Sequence, residues 1–550
     1  GQGYIVMEYV GGTSLKQILA ERRARAGRVD PLPVDQALAY VLEILPAFSY
    51  LHDLGLLYCD FKPDNLISQD DTVKLIDLGG VRRAADDDAA IFGTLGFQAP
   101  EVPVDGPSVA ADIFTIGRTL ATLVLDFRGN TTTYATTLPP VAETPVFSRY
   151  DSFYRLLAKA CAADPNDRFA TIDGLRVQML GVLREVVATD RGLGPAHSTT
   201  TSALFTTSTA DVADRPLRWS ELPALRPDEH DPMFGWLAGM TVPEPAARFA
   251  TLAAAPQTTP EVLLAQAQAA IATAEDAASI DTPVGHGKAI EWLTRAWQAI
   301  DRLLDLDPWD WRAAWLSGLL ELSRATLLSG ANGTAQSVTS QGGQVEAAVA
   351  ARASFNAVYG QAPGELAPKL ALATTCELSG ELDVAESLYL VCASADANYT
   401  SPAAFGLARI RARRGNLDGA LDALDLVSPT RGSYPQARMM RAQLLVGSGR
   451  SLVELARSLE ELDQVPVSST AKARFRLDVL KTALTAVTAP GPGAPAPVPE
   501  LTIGGYPATE PTLRDGVERA CRDLARLTAD PATRYALVDD ANRLRRWTLR

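Results

Sequence analysis

The hydrophobic pattern changes character along this chain. Near its start, Tyr4-Ile5-Val6-Met7-Glu8-Tyr9-Val10 is a short apolar run rich in β-branched and aromatic residues, closed by Gly11-Gly12. Such a run predicts a buried strand leaving into a turn. From about residue 258 onward the pattern is helical instead. Ile290, Leu293, Trp297, Ile300 and Leu304 recur at spacings of three and four, which predicts one apolar face of an amphipathic helix. Asp307-Pro308 predicts its end, because proline cannot continue the helical hydrogen bonding and biases its predecessor away from helix.

Within the helical part a unit recurs. Gly380-Glu381-Leu382-Asp383-Val384-Ala385 is followed 35 residues later by Gly415-Asn416-Leu417-Asp418-Gly419-Ala420, and 34 residues after that Gly449 opens a looser copy with Leu452 and Ala456. Glycine permits a tight interhelical turn and the small alanine lets neighbouring helices approach. A period near 34 with this content is the tetratricopeptide pattern, whose stacked helix pairs make a concave surface for peptides or partner domains. The competing reading is a non-repetitive helical bundle. Residues 191–232 interrupt the pattern with Gly, Pro and repeated Ser and Thr, and read as a linker with short turns around Trp219 and Trp236. Its hydroxyl cluster is a candidate phosphorylation region. Pro490, Pro492, Pro495, Pro497 and Pro499 mark an extended interruption over 488–511, after which helical pattern resumes from about Leu513 to Trp547.

Composition bounds the function classes. A chain of 550 residues is too long for one core. With 47% hydrophobic residues and a mean hydropathy near zero it reads as globular and soluble. The balance of 51 basic to 65 acidic residues gives a net charge of −14, which argues against nucleic-acid binding, since that rests on a basic footprint. No apolar run is long enough to span a membrane. The five cysteines, at 59, 161, 376, 392 and 521, form no C-x-x-C pair, as expected of a reducing cytoplasm without a zinc or disulfide framework.

The chemistry concentrates in Tyr58-Cys59-Asp60-Phe61-Lys62-Pro63-Asp64-Asn65, followed twelve residues after Asn65 by Asp77-Leu78-Gly79. Phosphoryl transfer needs a carboxylate to orient the attacking hydroxyl and accept its proton, and oxygen ligands to hold magnesium against nucleotide phosphates. Taken singly, each residue is ordinary turn chemistry; the joint spacing points to catalysis. The segment resembles the protein kinase superfamily, with its His-Arg-Asp-x-Lys-x-x-Asn loop and Asp-Phe-Gly turn. Tyr58, Cys59 and Leu78 are the departures. The resemblance implies ATP and Mg2+ as cofactors, Asp60 as base, Lys62 as partner of the transferred phosphate, and Asn65 and Asp77 as magnesium ligands. It implies Met7 as gatekeeper, the Glu8 carbonyl and Val10 N–H as adenine contacts, and Ile67 beneath the ring. Ala99-Pro100-Glu101 resembles the end of an activation segment, Asp112 and Gly117 the start of a central buried helix, and Arg168 the partner of Glu101. Lys62-Pro63, and Thr94 in contact with Asp60 and Lys62, imply serine/threonine specificity.

Two further expectations follow from what is missing. No Gly-rich loop, strand lysine or helix glutamate precedes Gly1, so the chain reads as a fragment starting inside the hinge strand, with little activity alone although the full gene product is active. From Gly80 to Phe92 there is no Ser, Thr or Tyr, and Cys59 replaces the arginine that receives an activation-loop phosphate in many kinases. The two departures agree on a kinase not switched by activation-loop phosphorylation. Asp86 to Asp88 read as a solvated acidic loop and Cys59 as steric filling.

The expected fold is mostly α: a protein-kinase C-lobe with a hinge strand and short β elements over 1–187, a Ser/Thr/Pro-rich linker over 188–257, and an α-solenoid of tetratricopeptide repeats over 258–550. With Cys59 in the loop, and with 364–373, 403–409 and 535–539 similar to its repeat region and closing helix, the chain resembles the actinobacterial protein kinase G family. That resemblance implies a cytoplasmic enzyme acting on a protein substrate, a forkhead-associated-domain regulator of 2-oxoglutarate and glutamate metabolism. It also implies docking and homodimerisation through the repeats, and a rubredoxin-like domain upstream, whose cysteines this chain does not contain. A pseudokinase scaffold, motivated by Tyr58, Cys59 and Leu78, and a repeat protein with a vestigial kinase fold are the alternatives.

Overall fold

Val109–Val124 forms a helix buried almost all round, and the core of the N-terminal part of the chain is arranged on it. Ser108 caps its start by accepting a hydrogen bond from the Ala111 N–H, while Ile113, Phe114, Ile116, Leu120 and Leu123 are fully or almost fully enclosed. The computed structural model describes residues 11–69, 72–84, 93–192, 194, 196, 199–207, 214–280, 282–330, 338–447, 452–463, 467–488 and 500–545. The predicted strand with Glu8 and Val10 therefore lies outside the described residues, as do Asp86 to Asp88, Gly449 and the prolines from 490 to 499.

Two compact units divide the chain. The first holds 1–193, 202–204 and 225–372. Here Val34–Asp53 turns Ala37, Leu38, Val41, Ile44, Leu45 and Phe48 inward at helical spacing, and Ile172–Arg191 buries Leu175, Met179, Val182 and Val186 in the same core. The β content is small. Leu66–Gln69 pairs antiparallel with both Thr72–Leu75 and Thr13–Ser14, and Leu56–Leu57 pairs with Arg82–Arg83. These strand pairs flank the loop predicted to be catalytic and the turn after it.

The same unit continues through Pro245–Ala253, Pro260–Ala278, Pro283–Leu306, Trp311–Gly330, Val338–Gln361 and the start of Leu366–Ser379. The stretch read as linker thus holds two helices of this unit, Phe234–Ala238 and Pro245–Ala253, while its 3-10 turn Trp219–Glu221 belongs to the second unit. Pro283–Leu306 stops where Asp307-Pro308 predicts. Its buried face, however, is Ala289, Leu293, Ala296, Ile300 and Leu303, while Ile290 is 66% exposed and Trp297 39% exposed. The stripe predicted from the largest apolar residues is rotated, because alanines let the packed neighbours approach on the adjoining side.

A buried polar junction ties Asp151–Ala160 and Ile172–Arg191 to Val338–Gln361 and Leu366–Ser379. Lys369 Nζ donates to Glu185 Oε1 at 2.5 Å, to the Pro363 carbonyl at 2.6 Å and to the Glu365 carbonyl at 2.9 Å. The Ser152 hydroxyl bonds the other Glu185 oxygen and stands 2.7 Å from the Tyr359 hydroxyl. Gly181 and Gly364 let the two backbones touch: a β-carbon on either would collide with main-chain atoms of the opposite segment.

The second unit holds 194–201, 205–224 and 373–550. Its turns repeat as the sequence period predicts. Gly380 and Gly415 adopt left-handed φ values of 86° and 74°, and the residue after each donates five residues back, Glu381 N–H to Cys376 and Asn416 N–H to Arg411, both at 2.9 Å. Ala385 and Ala420 are fully buried in the helices that follow. A β-carbon on Gly406 would strike the Tyr389 ring, so this glycine too is set by helix-to-helix approach.

Candidate active site

The loop carrying the predicted catalytic residues is held from below by one carboxylate. Asp112, buried at the start of the central helix, accepts the Cys59 N–H at 2.8 Å and the Tyr58 N–H at 2.9 Å, and His52 Nε2 stands 2.9 Å from the same carboxylate. This grip lets Cys59 sit at φ 69°. Asp77 sits at φ 63°, and among the described residues these are the non-glycine positions with positive φ. A side chain held there costs on the order of 1–3 kcal/mol, so the strain is concentrated at the two segments with candidate chemistry.

Pro63–Asn65 forms a single 3-10 turn that returns the chain to the strand Leu66–Gln69 and folds Asn65 back under Asp60. Asp60 Oδ1 accepts the Thr94 hydroxyl at 2.7 Å; Lys62 Nζ donates to Asp60 Oδ2 at 2.6 Å and to Thr94 Oγ1 at 2.9 Å. Asn65 Nδ2 donates to the Asp60 carbonyl at 2.8 Å, which leaves its amide oxygen for another partner. Asp60 and Lys62 side chains are each 21% exposed, so the cluster is reachable from solvent.

Asp77 approaches the same cluster. Its Oδ1 accepts the Gly79 N–H at 3.0 Å. A β-carbon on Gly80 would stand 3.3 Å from that of Asp60 and 3.2 Å from the Tyr58 carbonyl, so the turn packs directly on the loop. Tyr58 makes the second link: its hydroxyl lies 2.8 Å from the Ile76 carbonyl and 3.0 Å from the Asp77 carbonyl, sharing its proton between them. Burial pushes the Tyr58 phenol well up, with the carboxylates of Asp77, Asp60 and Asp112 adding to the rise, so it remains a donor. The Cys59 thiol is pushed up to about 12, first by burial and then by Asp112, and is therefore not a reactive thiolate.

Glu101 and Arg168 form a two-pronged pair at 2.6 and 2.9 Å, with the guanidinium also donating to the Ala162 and Ala110 carbonyls. The structure thus brings Asp60, Lys62, Asn65 and Thr94 together by direct bonds and joins Asp77 through Tyr58 and Gly80. Ile67 lies on the strand beside them, paired with Lys74 and Ser14. Sequence reasoning missed the anchoring by Asp112 and His52 and the bridging hydroxyl of Tyr58. The one signal for the anchor is a carboxylate inside an otherwise apolar helical run.

Asn65 and Asp77 offer only oxygen donors, which suits magnesium, an ion that takes few protein ligands and keeps waters or phosphates for the rest. Among the described residues no group of three or more His, Cys, Asp or Glu is placed to hold a metal. No described helix is long and apolar enough to cross a membrane.

The family described as protein kinase domain matches residues 1–176, and the family described as protein kinase G tetratricopeptide repeat matches 220–548. The chain is 36% identical over 567 residues to the serine/threonine-protein kinase PknG of Mycobacterium leprae, covering 99% of this chain and 68% of that one. It is 37% identical over 562 residues to PknG of Mycolicibacterium smegmatis, with the same coverage. Similarity to the serine/threonine-protein kinase PknL of Mycobacterium tuberculosis is 26% over 273 residues, 44% of this chain and 67% of that one.

Proposed function

The chain belongs to the protein kinase G family of serine/threonine kinases, and from that premise we propose that Asp60, Lys62, Asn65 and Asp77 are the residues that carry its phosphoryl transfer. The carrying observation is the Asp60 carboxylate, held between the Lys62 ammonium and the Thr94 hydroxyl. Asp60 orients the acceptor hydroxyl and takes its proton. Lys62 steadies that carboxylate and offers its charge to the phosphoryl group in flight. Asn65 and Asp77 would hold magnesium through oxygen, and with ATP bound that ion would neutralise phosphate charge. On the same reading the Glu8 carbonyl and the Val10 N–H, which lie outside the described residues, would bond the adenine, and Ile67 would pack beneath it. Thr94, bonded to both Asp60 and Lys62, supports a serine or threonine acceptor.

The functional division follows the sequence reading: a catalytic region to 187, a connecting region to 257 and a repeat region to 550 that recruits the protein acceptor. Family membership supports a forkhead-associated-domain regulator of glutamate metabolism as acceptor, a cytoplasmic setting and pairing of two copies through the repeats. Cys59 supports control without an activation-loop phosphate, since a protonated thiol gives an anion no cation to pair with. The test is labelled-phosphate transfer by the full-length protein with Asp77→Asn as control. We expect transfer to serine and threonine, lost in the variant. Wild-type turnover at the level of Asp77→Asn, across all magnesium concentrations, overturns the catalytic reading. An activating phosphate mapped between Gly80 and Phe97 overturns the regulatory one.

A further inference from the structure

A cleft of about 680 Å³ opens in the first unit, far along the chain from the catalytic loop, between the segment following Leu225 and the turn that joins Pro283–Leu306 to Trp311–Gly330. Trp309 stands on that turn 86% exposed, and Trp311 and Phe234 also line the cleft. An indole this exposed is unusual on a soluble surface, because its large apolar face gains free energy only when something covers it. The turn is well fixed. Asp307 Oδ1 accepts the Trp309 N–H at 2.9 Å, and the Asp310 N–H donates to the Asp307 carbonyl at 3.1 Å.

The charge of the lining says what covers it. Arg312 reaches the cleft, but its guanidinium is already shared by the buried carboxylates of Asp310, at 2.6 Å, and Glu261, at 2.8 Å. Arg226 directs its Nε to the Ser202 carbonyl at 2.8 Å. Asp228, Glu229 and Asp307 remain as exposed carboxylates on the walls; Asp228 faces the exposed ring of His230, 3.2 Å away, and among the described residues neither Glu229 nor Asp307 has an ion pair. Aromatic faces flanked by exposed carboxylates select a cation with an apolar stem, since the ring quadrupole and the carboxylates attract the same charge while the methylenes cover the indole.

We propose that this cleft is a docking site for an extended, arginine- or lysine-bearing segment of a partner protein, with Trp309 as its central contact and Asp228, Glu229 and Asp307 as its charge-reading walls. The inference is separate from the assignment of Asp60 and its neighbours and is tested by binding alone. The probe is a fluorescein-labelled decapeptide alternating arginine and glycine, with a lysine version and a glutamate version as comparisons, titrated by fluorescence anisotropy into the whole chain carrying Asp60→Asn. Trp309→Ala and the pair Glu229→Gln/Asp307→Asn alter exposed side chains, so unchanged circular dichroism is expected. Each variant should weaken arginine-peptide binding about tenfold, the weight of one cation–π interaction or of a few charge pairs across the cleft. The lysine peptide should bind the unaltered cleft and the glutamate peptide should not. Equal binding by unaltered chain and both variants overturns the proposal, because attraction is then only the general pull of a chain with net charge −14. Tighter binding of the glutamate peptide overturns it as well.

Discussion

Two clusters in the first unit are built from the same three groups, a carboxylate, an ammonium and a hydroxyl, and differ in almost everything else. At the proposed catalytic loop Asp60, Lys62 and Thr94 close a triangle of bonds at 2.6 to 2.9 Å while both charged side chains stay 21% exposed. At the junction Glu185 takes Lys369 on one oxygen and Ser152 on the other, and Lys369 is 1% and Glu185 6% exposed. Lys369 spends its other bonds on two backbone carbonyls, and the Ser152 hydroxyl meets Tyr359. Burial raises the Glu185 carboxyl, and Lys369 opposes the rise. The junction is saturated and closed. The cluster around Asp60 keeps the Asn65 amide oxygen and Asp77 available, and is held by strained backbone at Cys59 and Asp77. An acid–lysine–hydroxyl constellation is thus no mark of catalysis by itself; what separates the two is access, unused bonding capacity and stored strain.

Breaking each cluster should give opposite phenotypes. Asp60→Asn in the full-length protein is expected to lower phosphoryl transfer by about 10²- to 10⁴-fold, the range for loss of a positioned base, with the melting transition unmoved. Lys369→Met should do the reverse. It strands Glu185 in a closed site, and breaking one side of a buried ion pair costs about 3–5 kcal/mol of stability. Transfer per folded molecule should be preserved. Adding Glu185→Leu should recover much of the stability, because two apolar groups of similar volume leave no charge uncompensated. If Asp60→Asn unfolds the lobe, or Lys369→Met silences an intact one, the division by access and saturation is wrong.

Tyr58→Phe sharpens the division at a smaller scale. The ring packs on Phe48 and Phe61, with centroids 5.3 and 6.3 Å away, so the phenyl keeps its place and only the bridging hydroxyl is lost. Losing one hydrogen bond of about 0.5–1.5 kcal/mol predicts a two- to tenfold drop in turnover, if the hydroxyl holds Asp77 in position. The magnesium concentration for half-maximal rate should rise alongside. Unchanged magnesium dependence with lowered stability would make Tyr58 only a core residue.

Much of this was legible in the sequence because chain-local constraints fix it. The spacing from Asp60 to Asn65 lies within one loop and turn, and Gly380 and Gly415 sit at helix ends where only left-handed backbone closes the turn. The kinase lobe and the helical repeats followed from such signals, whereas the Glu101–Arg168 pair, 67 positions apart, was available only through the resemblance to a kinase. What stayed hidden depends on distant partners. Nothing near Glu185 or Lys369 announces that residues 184 positions apart will meet. Asp112 looks like an ordinary helix-start acid until the Tyr58 and Cys59 amides arrive. The buried face of Pro283–Leu306 is rotated for a related reason: apolar size does not by itself decide burial, and close helix approach favours alanine over isoleucine and tryptophan.

A third lysine tests whether burial, rather than the pairing itself, governs these ammonium groups. Lys159 lies at the rim of the junction, donating to the Gln361 carbonyl at 3.0 Å and its side-chain oxygen at 2.7 Å, with the Phe169 ring 4.9 Å away. Its contacts are neutral where Lys62 and Lys369 meet carboxylates. Burial lowers it from 10.5 to about 8, against a smaller opposing pull from Asp167. Below about 8 both folded and unfolded chains carry this proton, so the full cost of burying the charge is present. Between about 8 and 10.5 the folded chain has released it and the unfolded chain has not, so the unfolded state binds more protons and this group's contribution to stability rises with pH. Denaturant unfolding across that window, compared with Lys159→Met, should show the unaltered chain gaining on the variant as pH rises. The effect is smaller than those expected at Asp60, Lys369 and Tyr58, and the comparison isolates the lysine from the background of other titrating groups. A difference that stays flat means the ammonium is hydrated like a surface lysine, and partner charge rather than burial then separates the two clusters.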